Sequence, residues 1–263
     1  MSYADVNGLH LYYEEHGAGE RTLVLLHGGF GATDMMAELL PELSAGRRVV
    51  AVDLQAHGRT ADVDRPLWYE TMADDIAALI GHLGLESADV MGYSVGGGVA
   101  TRTAIQHPDA VSRLVIVSFP CRRSAWFPEV LGGMDHVGAE SVEPMKQSPL
   151  YELYTRIAPR VEDWPVLHAK MGELLSRDYD WTVEVSRLPM PVLLAVGDND
   201  SFPPAHAAEF FALLGGGLRD AGWDGAGRSV CRLAIVPGGT HYNMFQQPEL
   251  ARATAAFLDD KTL

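Results

Sequence analysis

Short apolar runs alternate with amphipathic segments along most of the chain, and this alternation limits the possible folds more than any other feature. The runs Thr22–Leu26, Arg48–Val52 and Val111–Val117 are rich in β-branched residues, as strands buried on both faces are. Between two such runs, apolar residues recur at helical spacing over 72–83, and Gly84 follows them. This order predicts strands joined by helices, and therefore an α/β fold with a mostly parallel sheet.

The pattern changes in the middle of the chain. From Phe119 to about Arg187 the strand signals disappear, and prolines, tryptophans and tyrosines are frequent, which predicts a helical insertion packed on the sheet. The glycine-rich segment 215–227 is predicted to be a long loop. The other predicted strands are 1–6, 10–15, 88–91, 192–196 and 232–236, and the other predicted helices are 95–106, 203–214 and 248–258.

The charge and the composition exclude several classes of function. With 20 Lys and Arg against 35 Asp and Glu, the formal net charge is -15, and such a chain is repelled by nucleic-acid phosphates. No apolar run is long enough for a membrane span, and the N-terminal residues do not resemble a signal peptide. Cys121 and Cys231 form neither a disulfide framework nor a metal cluster. We therefore expect a cytoplasmic protein with no nucleic-acid or membrane partner, and a homo-oligomer stays open.

The segment Gly92-Tyr93-Ser94-Val95-Gly96 has the pattern Gly-x-Ser-x-Gly and joins a predicted strand to a predicted helix. A turn this sharp needs small residues two positions before and after the serine, because their backbones nearly touch. The turn exposes the Ser94 hydroxyl and places the Val95 N–H at a helix N-terminus, where it can face a developing oxyanion. A tight turn whose glycines serve only packing is the alternative.

A serine nucleophile needs a general base, and the base needs a carboxylate that orients it. His241 is the favoured base, since it follows a predicted strand and precedes the last helix. The other possible place for the acid, after the strand that ends at Val117, has no carboxylate. The acid is therefore Asp198 or Asp200, which follow the strand 192–196.

These motifs together resemble the α/β-hydrolase fold superfamily, and the resemblance extends over essentially the whole chain. The matching segments are 27–29, 53–60, 92–97, 197–200 and 238–241. The resemblance implies a sheet of the eight-stranded type, a core domain of residues 1–119 and 188–263, and a helical cap of residues 120–187.

The resemblance also assigns roles within these segments. It favours Asp200 over Asp198 as the acid and the Gly29 N–H as the second oxyanion donor. It makes His27 and the His57-Gly58 pair structural. The chain departs from the family in having Ala for Gly at position 56 and Thr for Ser at position 60, both small replacements.

The expected reaction is the hydrolysis of a carboxylic ester through an acyl-enzyme, with Ser94, His241 and Asp200 as the triad. A serine nucleophile argues against the haloalkane dehalogenases and epoxide hydrolases of this superfamily, because those enzymes attack with Asp. A lactonase or another acyl or carbon–carbon hydrolase is an alternative, and a small-molecule receptor or scaffold is the alternative outside enzymes. The sequence predicts no metal and no cofactor.

The aromatic content of the insertion favours a small apolar or aromatic substrate. The residues predicted to line its pocket are Phe30, Tyr93, Trp126, Trp164 and Tyr242. Packing of the cap on the sheet is the alternative role for each of them.

Overall fold

The computed structural model describes residues 2–263, so Met1 of the predicted first strand lies outside the described residues. Its eight strands form one sheet. They are β1 (Ser2–Val6), β2 (Leu9–His16), β3 (Thr22–Leu26), β4 (Arg48–Val52), β5 (Ala88–Tyr93), β6 (Val111–Val117), β7 (Val192–Asn199) and β8 (Arg232–Thr240).

The order of the strands in the sheet is β1-β2-β4-β3-β5-β6-β7-β8. β2 runs antiparallel to both of its neighbours, β1 and β4, and each of the remaining neighbouring pairs is parallel. The structure thus confirms the prediction of a mostly parallel sheet. Strands β5, β7 and β8 extend beyond their predicted ends, because pairing with a neighbouring strand continues past the apolar run, as in the pair Tyr93 and Val117.

The helices lie on both faces of the sheet. Along β3, Leu23 and Leu25 belong to one apolar core, whereas Val24 and Leu26 belong to the other. This two-sided burial explains why the strands are continuously apolar. The α-helices are α1 (Leu40–Leu43), α2 (Tyr69–His82), α3 (Val95–Gln106), α4 (Pro128–Asp135), α5 (Val142–Met145), α6 (Pro149–Ile157), α7 (Trp164–Ser176), α8 (Thr182–Val185), α9 (Pro204–Leu213) and α10 (Pro248–Leu258).

Between β6 and β7 the chain forms five α-helices, α4 to α8, with short 3₁₀ turns. Within residues 118–191 the only strand-like pairing that the structure describes is a bridge between Arg122 and Asp180. This helical segment packs against the sheet loops through aromatic rings. The Trp164 and Phe30 ring centroids, for example, are 5.7 Å apart.

The glycine-rich segment before β8 forms neither helix nor strand over residues 215–227, as predicted. Several large apolar side chains near it are exposed, among them Leu218 and Trp223. Among the helices of residues 2–263, none has the length and apolar character that crossing a membrane requires.

Candidate active site

Ser94 occupies a strained turn between β5 and α3. Its φ of 54° and ψ of -121° lie in a region that non-glycine residues rarely adopt. A Cβ on Gly92 would lie 1.9 Å from the carbonyl oxygen of Gly96, and a Cβ on Gly96 would lie 2.4 Å from the carbonyl oxygen of His27. Any side chain at either position would therefore push the turn apart. The two glycines place Ser94 at the carboxyl edge of the sheet.

Ser94, His241 and Asp200 form one hydrogen-bonded line. The distance from Ser94 Oγ to His241 Nε2 is 3.0 Å, and the distance from His241 Nδ1 to Asp200 Oδ1 is also 3.0 Å. A carboxylate only accepts hydrogen bonds, so Nδ1 carries the imidazole proton and Nε2 accepts the serine O–H. The three side chains lie in the arrangement that a general base needs to activate a hydroxyl.

The Asp200 carboxylate is completely buried and well supplied with donors. Oδ1 accepts from the Ser201 N–H at 2.8 Å, and Oδ2 accepts from the Gly197 N–H at 3.0 Å and from the Ser118 hydroxyl at 2.6 Å. Burial alone would raise the pKa of Asp200, but the hydrogen bond and charge of His241 and the other donors hold that pKa below its usual value. The Asp200 carboxylate therefore stays ionised beside the imidazole of His241.

Asp198 has a different role. Its Oδ1 accepts from the Gly238 N–H at 2.8 Å and from the Asn199 amide at 2.7 Å, and the side chain is exposed. The bond to Gly238 joins the end of β7 to β8. Of the two carboxylates that the sequence leaves open, Asp200 is the one that lies against His241.

Gly29 and Val95 lie against each other above Ser94. A Cβ on Gly29 would come within 3.1 Å of the Val95 side chain and 2.8 Å of Met171, so this position is closely packed. Within residues 2–263 neither the Gly29 N–H nor the Val95 N–H has a protein acceptor. Two unpaired donors beside a nucleophile are suited to a negatively charged oxygen.

The two histidines that the resemblance makes structural are both buried. His27 Nδ1 donates to the Gly28 carbonyl at 2.7 Å, and Nε2 accepts from the Leu54 N–H at 3.0 Å. His57 Nδ1 donates to the Gln55 carbonyl at 2.8 Å. Burial lowers the pKa of His27 to about 4 and that of His57 to about 3, so both rings are neutral near pH 7.

A small cavity of about 20 Å³ opens beside Ser94. The helical segment supplies much of its lining, and three polar side chains besides Ser94 reach it. The lining residues are Tyr69, Ser94, Val95, Phe119, Arg123, Trp126, Met134, Leu174, Leu175 and Tyr179.

Of the five residues predicted for the substrate pocket, Trp126 alone is in this lining. Trp164 is buried among Phe30 and the rings of Tyr151 and Tyr154, so its packing partners occupy its faces. Phe30, at φ 60°, also packs on the ring of His168 with centroids 4.7 Å apart.

The other two predicted pocket residues flank the base. The Tyr93 hydroxyl donates to the carbonyl of His241, which holds the base loop on the nucleophile turn. Tyr242 is 76% exposed. Tyr93 precedes Ser94 and Tyr242 follows His241 in the sequence, but neither side chain is among the residues that line the cavity.

Sequence reasoning missed Ser118, Arg123, Tyr69 and Tyr179. The segment after Val117 holds no carboxylate, but its Ser118 hydroxyl donates to Asp200. The two tyrosines come from different elements, α2 and the end of the helical segment, and nothing in the local sequence indicates that they meet. Arg123 lies in the first 3₁₀ turn after β6, six positions beyond Val117.

The fold is that of the α/β hydrolases, and the comparison with known proteins agrees. A protein-family model with the description "alpha/beta hydrolase fold" matches residues 21–139 of this chain. The AB hydrolase superfamily protein YisY of Bacillus subtilis is 30% identical over 222 residues, which cover 76% of this chain and 81% of that protein. The chain belongs to the α/β-hydrolase superfamily.

Two further similarities concern proteins with named activities. The chain is 29% identical over 278 residues to the pimeloyl-[acyl-carrier protein] methyl ester esterase of Edwardsiella ictaluri, covering 96% of this chain and 99% of the esterase. The enol-lactonase from Burkholderia xenovorans LB400 superposes with a TM-score of 0.72 over 98% of this chain and 100% of the lactonase. At 20% identity the latter shows a shared fold. The family and its esterase relative support a hydrolytic function.

Proposed function

We propose that the protein is a serine hydrolase that cleaves carboxylic esters of a small, largely apolar substrate through an acyl-enzyme. The observation that carries the proposal is the continuous line from Ser94 Oγ through His241 to Asp200, with 3.0 Å at both steps. The similarity to a methyl ester esterase over nearly the whole of both chains supports the ester as the bond attacked.

In the acylation half, Ser94 Oγ attacks the carbonyl carbon of the ester while His241 Nε2 takes the hydroxyl proton. The carbonyl oxygen becomes an oxyanion, for which the N–H groups of Gly29 and Val95 are the donors. Asp200 keeps the imidazole in the required tautomer and stabilises its charged form. When the tetrahedral intermediate collapses, the imidazolium gives its proton to the leaving alcohol, and the acyl group stays on Ser94.

In the deacylation half, water attacks the acyl carbon as His241 Nε2 takes one of its protons. The second tetrahedral intermediate uses the same two N–H donors. Its collapse breaks the bond to Ser94 Oγ, which regains the proton from His241, and the carboxylic acid leaves. A lactone undergoes the same steps, except that the alcohol remains attached to the acid.

We also propose that residues 120–187 act as a cap over the nucleophile. The cavity beside Ser94 has room for about one water molecule, so an ester enters only when cap side chains move. Trp126, Leu174 and Leu175 are cap residues in its lining. Their apolar character supports a substrate that is apolar near the scissile bond.

Labelling with a fluorophosphonate tests the proposal, because this reagent reacts with an activated serine hydroxyl. The expected result is one adduct on Ser94, found by peptide mass spectrometry, together with hydrolysis of p-nitrophenyl acetate above the background. Ser94→Ala should take up no reagent. An unlabelled wild-type protein that hydrolyses neither an ester nor a lactone would overturn the proposal and favour a small-molecule receptor.

A further inference from the structure

The guanidinium group of Arg123 places a cation in the lining of the cavity. Arg123, in the 3₁₀ turn after β6, is only 16% exposed in its side chain. Its Nε donates to the Leu175 carbonyl at 2.9 Å, and its Nη2 donates to Asp135 Oδ1 at 2.5 Å. Within residues 2–263, Nη1 has no acceptor. Nε and Nη2 thus bind other residues of the cap, whereas the N–H groups of Nη1 remain available to a ligand.

Two tyrosine hydroxyls line the same cavity. Tyr69 is 6% exposed, and its hydroxyl has no hydrogen-bond partner among residues 2–263. The Tyr179 oxygen accepts from Trp126 Nε1 at 3.0 Å, which leaves its own O–H proton available. The centroids of the Tyr69 and Tyr179 rings are 5.9 Å apart, and both rings contact Phe119.

The Arg123 guanidinium and the hydroxyls of Tyr69 and Tyr179 all donate hydrogen bonds. Each has at least one N–H or O–H without an acceptor among residues 2–263. Donors that open into a cavity can pair with a bound acceptor, and hydrogen bonds to a charged acceptor are stronger than those between neutral groups. A planar guanidinium with phenolic hydroxyls beside it is suited to a carboxylate. The net charge of -15 repels anions at long range, so an anionic group would need local donors of this kind.

We propose that the cavity binds a carboxylate of the substrate through Arg123, Tyr69 and Tyr179, so that the substrate is an ester that also carries a free carboxylate. This inference rests on the proposed function and narrows its substrate class. Arg123 and Ser94 line the same small cavity, so the carboxylate and the scissile carbonyl belong to one short molecule. The carboxylate can be on the acyl part or on the alcohol part of the ester.

Matched pairs of esters test the substrate class. For the acyl part, mono-p-nitrophenyl glutarate and adipate are compared with p-nitrophenyl valerate and hexanoate. For the alcohol part, 4-acetoxybenzoate is compared with its methyl ester. We expect kcat/KM, corrected for spontaneous hydrolysis, to be about 10- to 100-fold higher for the carboxylate member of one of these series.

Variants identify the donors. Arg123→Met should lower the ratio of the two kcat/KM values by about 10- to 100-fold, and Arg123→Lys should restore part of it. Tyr69→Phe removes only an oxygen atom without a protein partner, so it keeps the packing and should lower the ratio by about 2- to 10-fold. Arg122→Met is the matched control, because Arg122 pairs with Glu209 outside the cavity lining and should not change the ratio.

Two results would overturn the inference. One is a wild-type protein that prefers the neutral member in both series or shows no preference. The other is a fall in kcat/KM by the same factor for both members in Arg123→Met, together with an unchanged ratio of the two kcat/KM values in Tyr69→Phe. Arg123 would then only stabilise the cap. A protein that hydrolyses neither member, and whose Ser94 takes up no fluorophosphonate, would instead contradict the proposed function.

Discussion

The sheet loops and the helical segment meet at Ser94, but different interactions hold them. In the sheet loops, backbone groups make many of the contacts, as where Asp200 accepts from the N–H groups of Gly197 and Ser201. In the helical segment, side chains make many of the contacts, beside a backbone bond from the Phe127 N–H to the Ser201 carbonyl at 3.1 Å. Lys170 on α7, for example, donates to Asp62 Oδ2 at 2.6 Å and to two carbonyls of the same loop at 2.7 Å.

This difference separates the two parts of the site by function. Backbone donors cannot be removed by substitution and hold their acceptors closely, so the sheet loops set the positions of the reacting groups. Side-chain contacts change with each substitution, so the helical segment is the part that can adapt to a substrate. We therefore expect changes in the sheet loops to act on kcat, and changes in the helical segment to act on KM and selectivity.

The strongest test of this division lies in the sheet loops. Ser94→Ala and His241→Ala should each lower kcat for p-nitrophenyl acetate by about 10⁴- to 10⁶-fold, because the nucleophile and its base act as a unit. The double variant should be little worse than either single variant. Steady-state kinetics with active-site titration measures this, and near-wild-type turnover of Ser94→Ala would refute the assignment.

The two carboxylates at the end of β7 provide a comparison between near neighbours in the chain. Asp200→Asn should lower kcat by about 10⁴-fold, because the amide no longer holds the imidazole in the productive tautomer. Asp198→Asn is the control, and its kcat should fall by less than about tenfold, since Asp198 bonds backbone and amide donors. Circular dichroism checks that both variants fold. The reverse ranking would identify Asp198 as the acid.

A pH effect on stability should come from the buried histidines of the sheet loops. The folded pKa values of about 4 for His27 and about 3 for His57 lie below the usual 6.5, so the stabilisation is complete above pH 6.5. It is lost as the pH falls from 6.5 towards 4, because the unfolded chain then binds more protons. Each histidine contributes about 1.4 kcal/mol per pH unit in this window.

Urea unfolding at pH 7, 6 and 5 measures this slope. His57→Gln should reduce the loss of unfolding free energy by about 1.4 kcal/mol per pH unit relative to the wild type. The exposed His10, changed to Gln, is the control. An unchanged slope in His57→Gln would mean that this ring is not neutral in the folded protein.

The smallest effect is expected at the contact between α7 and the sheet loops. Lys170→Met leaves the nearly buried Asp62 without its ion partner and should lower the unfolding free energy by about 1–3 kcal/mol. KM should rise while kcat changes little. Lys146→Met removes an exposed ion pair with Glu143 and should change stability by less than about 1 kcal/mol. A large loss of kcat in Lys170→Met would contradict the division of roles.

Patterns of neighbouring residues determined much of the architecture. The strands β3, β4 and β6 and the helices α3 and α10 begin and end where the sequence predicts, because apolar periodicity, Gly and Pro act over a few residues. The glycines around Ser94 are equally local. Their small size is required by carbonyl oxygens that lie only a few residues away or on the adjacent strand.

Contacts between distant segments decided the rest. Ser118 and Asp200 are 82 positions apart in the chain, and only the pairing of β6 with β7 brings them together. The choice between Asp198 and Asp200 depends on the direction of each side chain after β7, which no local pattern records. The cavity lining depends on how the helical segment packs on the sheet, so Trp126 reaches Ser94 whereas Trp164 is enclosed by other rings. The sequence thus determined the elements and the residue types for the chemistry, and tertiary packing decided which side chains surround the substrate.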